Sequence, residues 1–166
     1  MKRILVVLAL VAAGGAGILG QSRPAAPAPT VPTLSTQDYI DIEQVYAKYC
    51  QAVDAGNWDL LRSVFTPTGG LNKGTVDGLI ESVKAQIAST NGGGRHWNTN
   101  LIITPTPEGA KGRVYMMVLE TASNPPNIRP TGIYEDTLVK TAGGWRFDRR
   151  TLISDARPQT PAAPAK

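Results

Sequence analysis

The chain has 166 residues and a formal net charge of +4, a size that suits one folded domain with flanking segments. Without Lys2 and Arg3 the balance is 15 positive to 13 negative groups, and residues 34–153 carry twelve of each sign. This balance excludes nucleic acid as a partner, because the domain has no charge excess to attract phosphates. One cysteine, Cys50, cannot form an internal disulfide, and with one histidine it is too little for a zinc site.

The first twenty residues are typical of an export signal. Lys2 and Arg3 precede the apolar run of residues 4–13, as in the charged and apolar regions of a signal peptide. An uncleaved membrane anchor is the alternative, although the run is marginal in length for crossing a bilayer. We therefore expect an exported protein, periplasmic or secreted, with no membrane contact beyond that anchor.

Two segments rich in proline and alanine, one on each side of the domain, are predicted to lie outside the core. Residues 21–33 predict an extended linker, and residues 155–166 predict a disordered tail. The folded domain is therefore expected at residues 34–154.

Three helices are predicted at the start of the domain. Ser35 and Asp38 match a capping box, and the helix that follows is expected to run to about Asp54 and to stop at Gly56. A short second helix covers residues 57–65, and a third covers roughly residues 76–89. The apolar stripe of the first helix comprises Tyr39, Ile42, Tyr46, Tyr49, Cys50 and Val53.

After residue 94 the apolar period changes to two, which predicts β-strands. Four runs fit this period, and two glycine-containing turns join them in pairs. Helices followed by such strands indicate an α+β fold, in which a strongly curved antiparallel or mixed sheet wraps around three N-terminal helices as a cone. The interior of a cone offers a pocket. The runs are residues 96–104, 111–121, 132–141 and 145–153.

Five segments of the domain form a recognisable series: residues 49–59, 64–66, 95–96, 132–136, and 144–147 with Arg150. In this order and spacing they resemble the SnoaL-like family of the nuclear transport factor 2-like superfamily. The resemblance implies a cone of one bent sheet and three helices, often dimeric through the sheet, that holds a small, partly apolar molecule and no cofactor. Members include polyketide cyclases, steroid isomerases, scytalone dehydratase, epoxide hydrolases and binding proteins, so the fold does not fix the activity.

The resemblance also implies roles for single residues. Asp54 and His96 look like the cavity pair of scytalone dehydratase-like members, but the second catalytic histidine of that enzyme has no counterpart in this chain. Tyr49 is similar in position to the oxyanion-binding tyrosine of steroid isomerases. Residues 66–74 lack the carboxylate base that those isomerases need, so steroid isomerase activity is excluded.

Physical reasoning also favours a pair of Asp54 and His96. Asp54 falls in the last helical turn, where the macrodipole disfavours a carboxylate by about 0.3–1 kcal/mol, so it needs a partner. If it accepts the ring N–H of His96, the other ring nitrogen is free to take or give a proton. The sequence therefore makes these two residues the catalytic candidates.

Further residues are candidates for contact with a ligand. Tyr46, Tyr49 and Tyr134 either turn their hydroxyl groups into the cavity or belong to the core. Asn98 follows His96 by two residues and is expected on the same face of the strand, as are Asn100 and Ile102. Near the end of the domain, Trp145, Phe147 and Arg150 are expected to pack the last strand, with Arg150 paired to Asp136 or Glu135.

Two functions stay open from the sequence. The first is an exported binding domain, without catalysis or of unknown activity, that holds a small molecule in the cone. The second is a cofactor-free lyase or isomerase, dehydratase-like or cyclase-like, in which Asp54 and His96 act as an acid/base pair on a carbonyl or hydroxyl compound.

Overall fold

The computed structural model describes residues 32–90 and 94–156. The predicted signal, almost all of the linker and most of the tail lie outside these residues. None of the helices in the described part of the chain is both long and apolar enough to cross a bilayer.

Three helices open the domain: α1 (Thr36–Ala55), α2 (Trp58–Ser63) and α3 (Val76–Thr90). The predicted start and stop of α1 are confirmed. Ser35 and Asp38 form the capping box, and Gly56 ends the helix in the left-handed conformation with φ 65°. A residue with a side chain is strained at that φ, which is why glycine suits this position.

Four strands follow: β1 (Gly94–Thr106), β2 (Gly109–Glu120), β3 (Asn127–Thr141) and β4 (Gly144–Ser154). They pair antiparallel in the order β1-β2-β3-β4. The predicted α+β class, with helices preceding one antiparallel sheet, is therefore confirmed.

A β-bulge interrupts β1 and changes which residues face inward. Asn100 has φ 57°, and the pairing with β2 shifts between Thr99 and Ile102. The prediction that Ile102 shares the face of His96 is therefore wrong: Ile102 is 63% exposed. The extra residue reverses the alternation after the bulge, so that Leu101 turns inward in its place.

Helix α1 packs against the sheet, and buried residues of all three helices belong to the same core as the inward-facing residues of the strands. Helix α1 contacts both edge strands, β1 and β4. Tyr39, which the predicted stripe included, is 37% exposed and lies at the margin of this core. The buried residues of α1 are Ile42, Val45, Tyr46, Tyr49, Cys50, Ala52 and Val53.

The two edges of the sheet differ in what covers them. The segment after α2 runs along β4, where Thr66 donates its backbone N–H to Phe147 and Asn72 donates to Arg150. This segment covers the β4 edge, which would otherwise present unpaired backbone groups. Among the described residues, β1 pairs only with β2, and its other edge faces α1.

Candidate functional site

A groove with a volume of about 870 Å³ lies between α1 and β1. One wall comes from α1, where Glu43, Ala47 and Gln51 follow each other at intervals of four residues and so share one face of the helix. The opposite wall comes from β1 and reaches into β2. The lining residues are Glu43, Tyr46, Ala47, Cys50, Gln51, Asp54, His96, Trp97, Asn98, Thr99, Asn100, Leu101, Val114 and Met117.

Asp54 and His96 are joined at one end of this groove. The Nδ1 atom of the His96 ring lies 2.6 Å from Oδ1 of Asp54. The backbone N–H of His96 donates to the same carboxylate, with distances of 3.0 Å to Oδ2 and 3.2 Å to Oδ1. Two groups of one residue therefore hold the carboxylate, and they offset its unfavourable place at the helix C-terminus.

This arrangement determines which ring nitrogen is available for chemistry. With Nδ1 engaged by Asp54, Nε2 is the nitrogen that can meet a ligand. The side chains are 18% exposed for His96 and 12% for Asp54, so the pair is largely shielded from water yet reachable from the groove. Such a pair can orient a ring for general acid or base work.

Asn98 is the next inward-facing residue of β1 after His96, and it also lines the groove. Both Oδ1 and Nδ2 of its side chain are shielded from solvent, and no group in the described part of the chain forms a hydrogen bond with either atom. Buried polar atoms without partners are uncommon and are found at functional sites.

The predicted ligand contacts of Tyr49 and Tyr134 are not found at this groove. The two residues are 2% and 3% exposed, and their rings lie 4.2 and 4.0 Å from the Cζ atom of Arg150. Burial raises the pKa of each hydroxyl above its usual value. The interior of the cone, which was predicted to be open, is filled here by Arg150 and by the rings packed against it.

Tyr46 lines the groove, but its hydroxyl group is committed to the core. It donates to Oδ2 of Asp136 at 2.6 Å, and burial raises the pKa of this hydroxyl, with the Asp136 carboxylate adding to the effect. Gly112 allows this approach, because a Cβ atom at residue 112 would collide with the Tyr46 hydroxyl. Tyr46 therefore offers the groove its ring and not a free hydroxyl.

Charge in the groove is acidic rather than basic. Glu43 and Asp54 contribute carboxylates, and among the described residues no lysine or arginine lines the groove. Cys50 lies in the same wall, where burial raises the pKa of its thiol to about 11. No cluster of three or more His, Cys, Asp or Glu side chains suited to a metal ion occurs within residues 32–90 and 94–156.

Several groove residues were not identified from the sequence. Glu43, Ala47 and Gln51 are exposed and lie outside the apolar stripe that was predicted for α1. Their spacing of four residues, which continues approximately to Asp54, is the signal that could have marked them as one surface.

Comparison with known proteins agrees with this architecture. The model of the SnoaL-like domain family matches residues 35–151. An uncharacterised protein of Mycobacterium tuberculosis is 27% identical over 121 residues, which cover 68% of this chain and 82% of that protein.

Solved structures with the same fold include proteins of several bacteria. A protein of unknown function from Mycobacterium tuberculosis is 27% identical with a TM-score of 0.62, covering 72% of each chain. A protein from Catenulispora acidiphila, solved in complex with S-DNPA, is 22% identical with a TM-score of 0.64, covering 73% of this chain and 96% of that one. An NTF2-like protein with a cystatin-like fold from Novosphingobium aromaticivorans is 19% identical with a TM-score of 0.62, covering 74% and 85%.

The family match spans both helices and sheet, and it includes Asp54, His96 and Arg150. This chain belongs to the SnoaL-like domain family.

Proposed function

We propose that this SnoaL-like domain binds a small, partly apolar molecule in the groove between α1 and β1. The observation that carries the proposal is the hydrogen bond between Asp54 and His96, which holds a polar, orientable ring in the wall of a groove lined by both apolar and polar side chains. A sizeable cleft with a few convergent polar groups is the usual form of a ligand site. The same fold holds S-DNPA in the Catenulispora protein.

Binding of the neutral apolar dye Nile red tests this location. The Ala47→Trp substitution fills the groove from the α1 wall, whereas Lys48→Trp adds the same side chain to an exposed position of α1 outside the groove. We expect dye fluorescence to rise with the wild-type protein and with Lys48→Trp, and to be lost with Ala47→Trp. Equal binding by both variants would locate the dye elsewhere and contradict the proposal.

The second candidate function is that of a cofactor-free lyase or isomerase. It is favoured by the engagement of Nδ1, which presents Nε2 to a ligand for proton transfer. Native mass spectrometry of the purified protein identifies a co-purified compound. The protein is then incubated with that compound, and loss of water from the compound or its isomerisation is measured over time.

A catalytic role makes a specific demand on His96. If Nε2 transfers the proton, His96→Gln slows turnover by about 10²–10⁴-fold while binding persists. If the wild-type protein and His96→Gln both bind the compound and neither converts it, the domain is a binding module without this chemistry.

We also propose a homodimer formed through the outer face of the sheet. Tyr115 of β2, Ile133 of β3 and Ile153 of β4 are register neighbours across three strands, and Tyr115 and Ile153 are 50% and 44% exposed. An apolar row of this kind on a solvent face is typical of an association surface. We expect a dimer in sedimentation equilibrium and a monomer for Tyr115→Lys, and a wild-type monomer at micromolar concentration would reject the proposal.

Export is proposed on the basis of the N-terminal sequence, where Lys2 and Arg3 precede the apolar run. A fusion of residues 1–33 to alkaline phosphatase, which is active only outside the cytoplasm, tests this. Activity that is lost when the apolar run is deleted supports export, and N-terminal sequencing of the exported product separates a cleaved signal from an anchor. Phosphatase activity equal to that of a leaderless fusion would contradict export.

A further inference from the structure

We propose that Asn98 makes the groove selective for neutral molecules that carry a hydrogen-bond donor next to a carbonyl oxygen, as a lactam does. This inference rests on the proposed binding function and specifies the ligand of the same groove. It starts from the Asn98 amide, whose Oδ1 and Nδ2 both lack a partner among the described residues.

An unsatisfied amide at this position calls for an explanation. Asn98 faces inward on β1, where an apolar side chain would pack without leaving polar atoms unpaired. Leaving a buried donor or acceptor without a partner is unfavourable. Asn98 lines the groove between α1 and β1, while its two amide atoms are covered by neighbouring groups. A ligand in the groove is the partner we infer for them, and it displaces the covering groups when it binds.

The amide dictates the chemistry of that partner. Its N–H groups need an acceptor and its oxygen needs a donor, and the two atoms lie side by side on one carbon. A lactam presents a carbonyl oxygen and an N–H in the same adjacent arrangement, so both Asn98 atoms are satisfied by one edge of the ligand. A ketone or ether satisfies only the N–H side and leaves Oδ1 unpaired.

The charges of the groove exclude ligands that present a carboxylate to Asn98 in place of the lactam group. A carboxylate would place an oxygen against Oδ1 of Asn98, and Glu43 and Asp54 add further negative charge. Within residues 32–90 and 94–156, no lysine or arginine lines the groove to compensate. The ligand edge is therefore neutral.

His96 lies within reach of a ligand held in this way. It precedes Asn98 by two residues on the same face of β1, a separation of roughly 7 Å along an extended strand. A bicyclic lactam spans this distance, so its polar edge meets Asn98 while its second ring contacts the His96 imidazole. Asn98 and His96 then contact opposite ends of one molecule.

Isothermal titration calorimetry with two matched probes tests the selectivity. The probes are 2-quinolone, which carries the lactam edge, and N-methyl-2-quinolone, in which a methyl group replaces the donor hydrogen. We expect wild-type protein to bind 2-quinolone about tenfold or more tightly than its methylated analogue. The Asn98→Ala protein is expected to bind both probes with similar affinity, and its thermal unfolding reports whether it is folded.

The outcomes separate this inference from the proposed function, because the Cε1 proton resonance of His96 reports binding in the groove. If both probes shift this resonance but bind the wild-type protein equally, the groove binds ligands and the role of Asn98 is overturned. A preference that survives in Asn98→Ala also overturns it. If neither probe binds, the lactam class is wrong; the Nile red experiment then decides separately whether the groove binds ligands at all.

Discussion

Arg150 donates two hydrogen bonds to Asp136, each of 2.9 Å, from Nε and Nη2. Both side chains are fully buried. Burial by itself lowers the pKa of the guanidinium, but the Asp136 carboxylate outweighs it and the pKa of Arg150 is raised overall. This ion pair occupies the centre of the core, where a hollow cone would have its cavity.

Removal of one partner of this pair is expected to be costly. Arg150→Met leaves the Asp136 carboxylate buried without its counter-charge, and we expect the free energy of unfolding to fall by about 3–5 kcal/mol. The double variant Arg150→Met/Asp136→Leu buries no charge and is expected to be more stable than the single one. Urea unfolding measures both, and a double variant no more stable than Arg150→Met would show that the charge imbalance is not the cause.

A side chain at residue 112 is expected to lower the stability of the fold as long as Tyr46 keeps its hydroxyl. Gly112→Ala places a methyl group against that hydroxyl and is expected to cost about 1–3 kcal/mol of stability. In a Tyr46→Phe background the nearest obstructing atom is absent and only the ring carbon Cζ stays close, at 3.0 Å, so the same substitution is expected to cost less. Urea unfolding of the four proteins gives the coupling energy, and strictly additive costs would contradict the contact.

The carboxylate of Asp38 at the N-terminus of α1 is expected to make the stability of the fold fall with pH in the acid range. Hydrogen bonds from Lys140, Ser35 and Trp145 hold the pKa of Asp38 below its usual value of 3.8. A lowered folded-state pKa stabilises the fold above about pH 4, and this stabilisation is lost as the pH falls through the lowered value.

Thermal unfolding of Asp38→Asn beside the wild type checks this dependence. The melting temperature of the variant is expected to lie below that of the wild type at pH 7, with the difference shrinking between pH 4 and pH 2. A constant difference across this range would mean that the charge of Asp38 contributes nothing.

Cys50 is expected to be a poor nucleophile although it lines the groove. Burial raises the pKa of its thiol to about 11, so at pH 8 almost all of it is protonated and unreactive. We expect iodoacetamide to alkylate the folded protein about 100-fold more slowly than the urea-unfolded chain. Equal rates would indicate that the α1 wall opens readily.

Local patterns allowed the helices and strands to be predicted. The capping box at Ser35 and the glycine at residue 56 are signals within a few residues of the chain, and both took effect as expected. The bulge at Asn100 escaped prediction because it arises from pairing with β2, which no local pattern encodes. That one extra residue reversed the orientation of Ile102.

The candidate site was predicted in part. The contact between Asp54 and His96 followed from the family resemblance and from the need of a carboxylate at a helix C-terminus for a partner. The packing of Tyr49 and Tyr134 around Arg150 did not follow, because the burial of a guanidinium depends on the whole core. Tyrosine spacing alone cannot tell a ring that stacks on a cation from one that lines a cavity.

The ring nitrogens of His96 give the most direct test of the central claim that this pair presents a ligand-facing nitrogen to the groove. Long-range ¹H–¹⁵N NMR of selectively labelled protein shows which nitrogen carries the proton and which responds to Nile red. We predict a proton on Nδ1, held by Asp54, and a shift of the Nε2 resonance on addition of the dye that is absent in Ala47→Trp. A neutral ring protonated only on Nε2, or ring resonances indifferent to bound dye, would contradict the account.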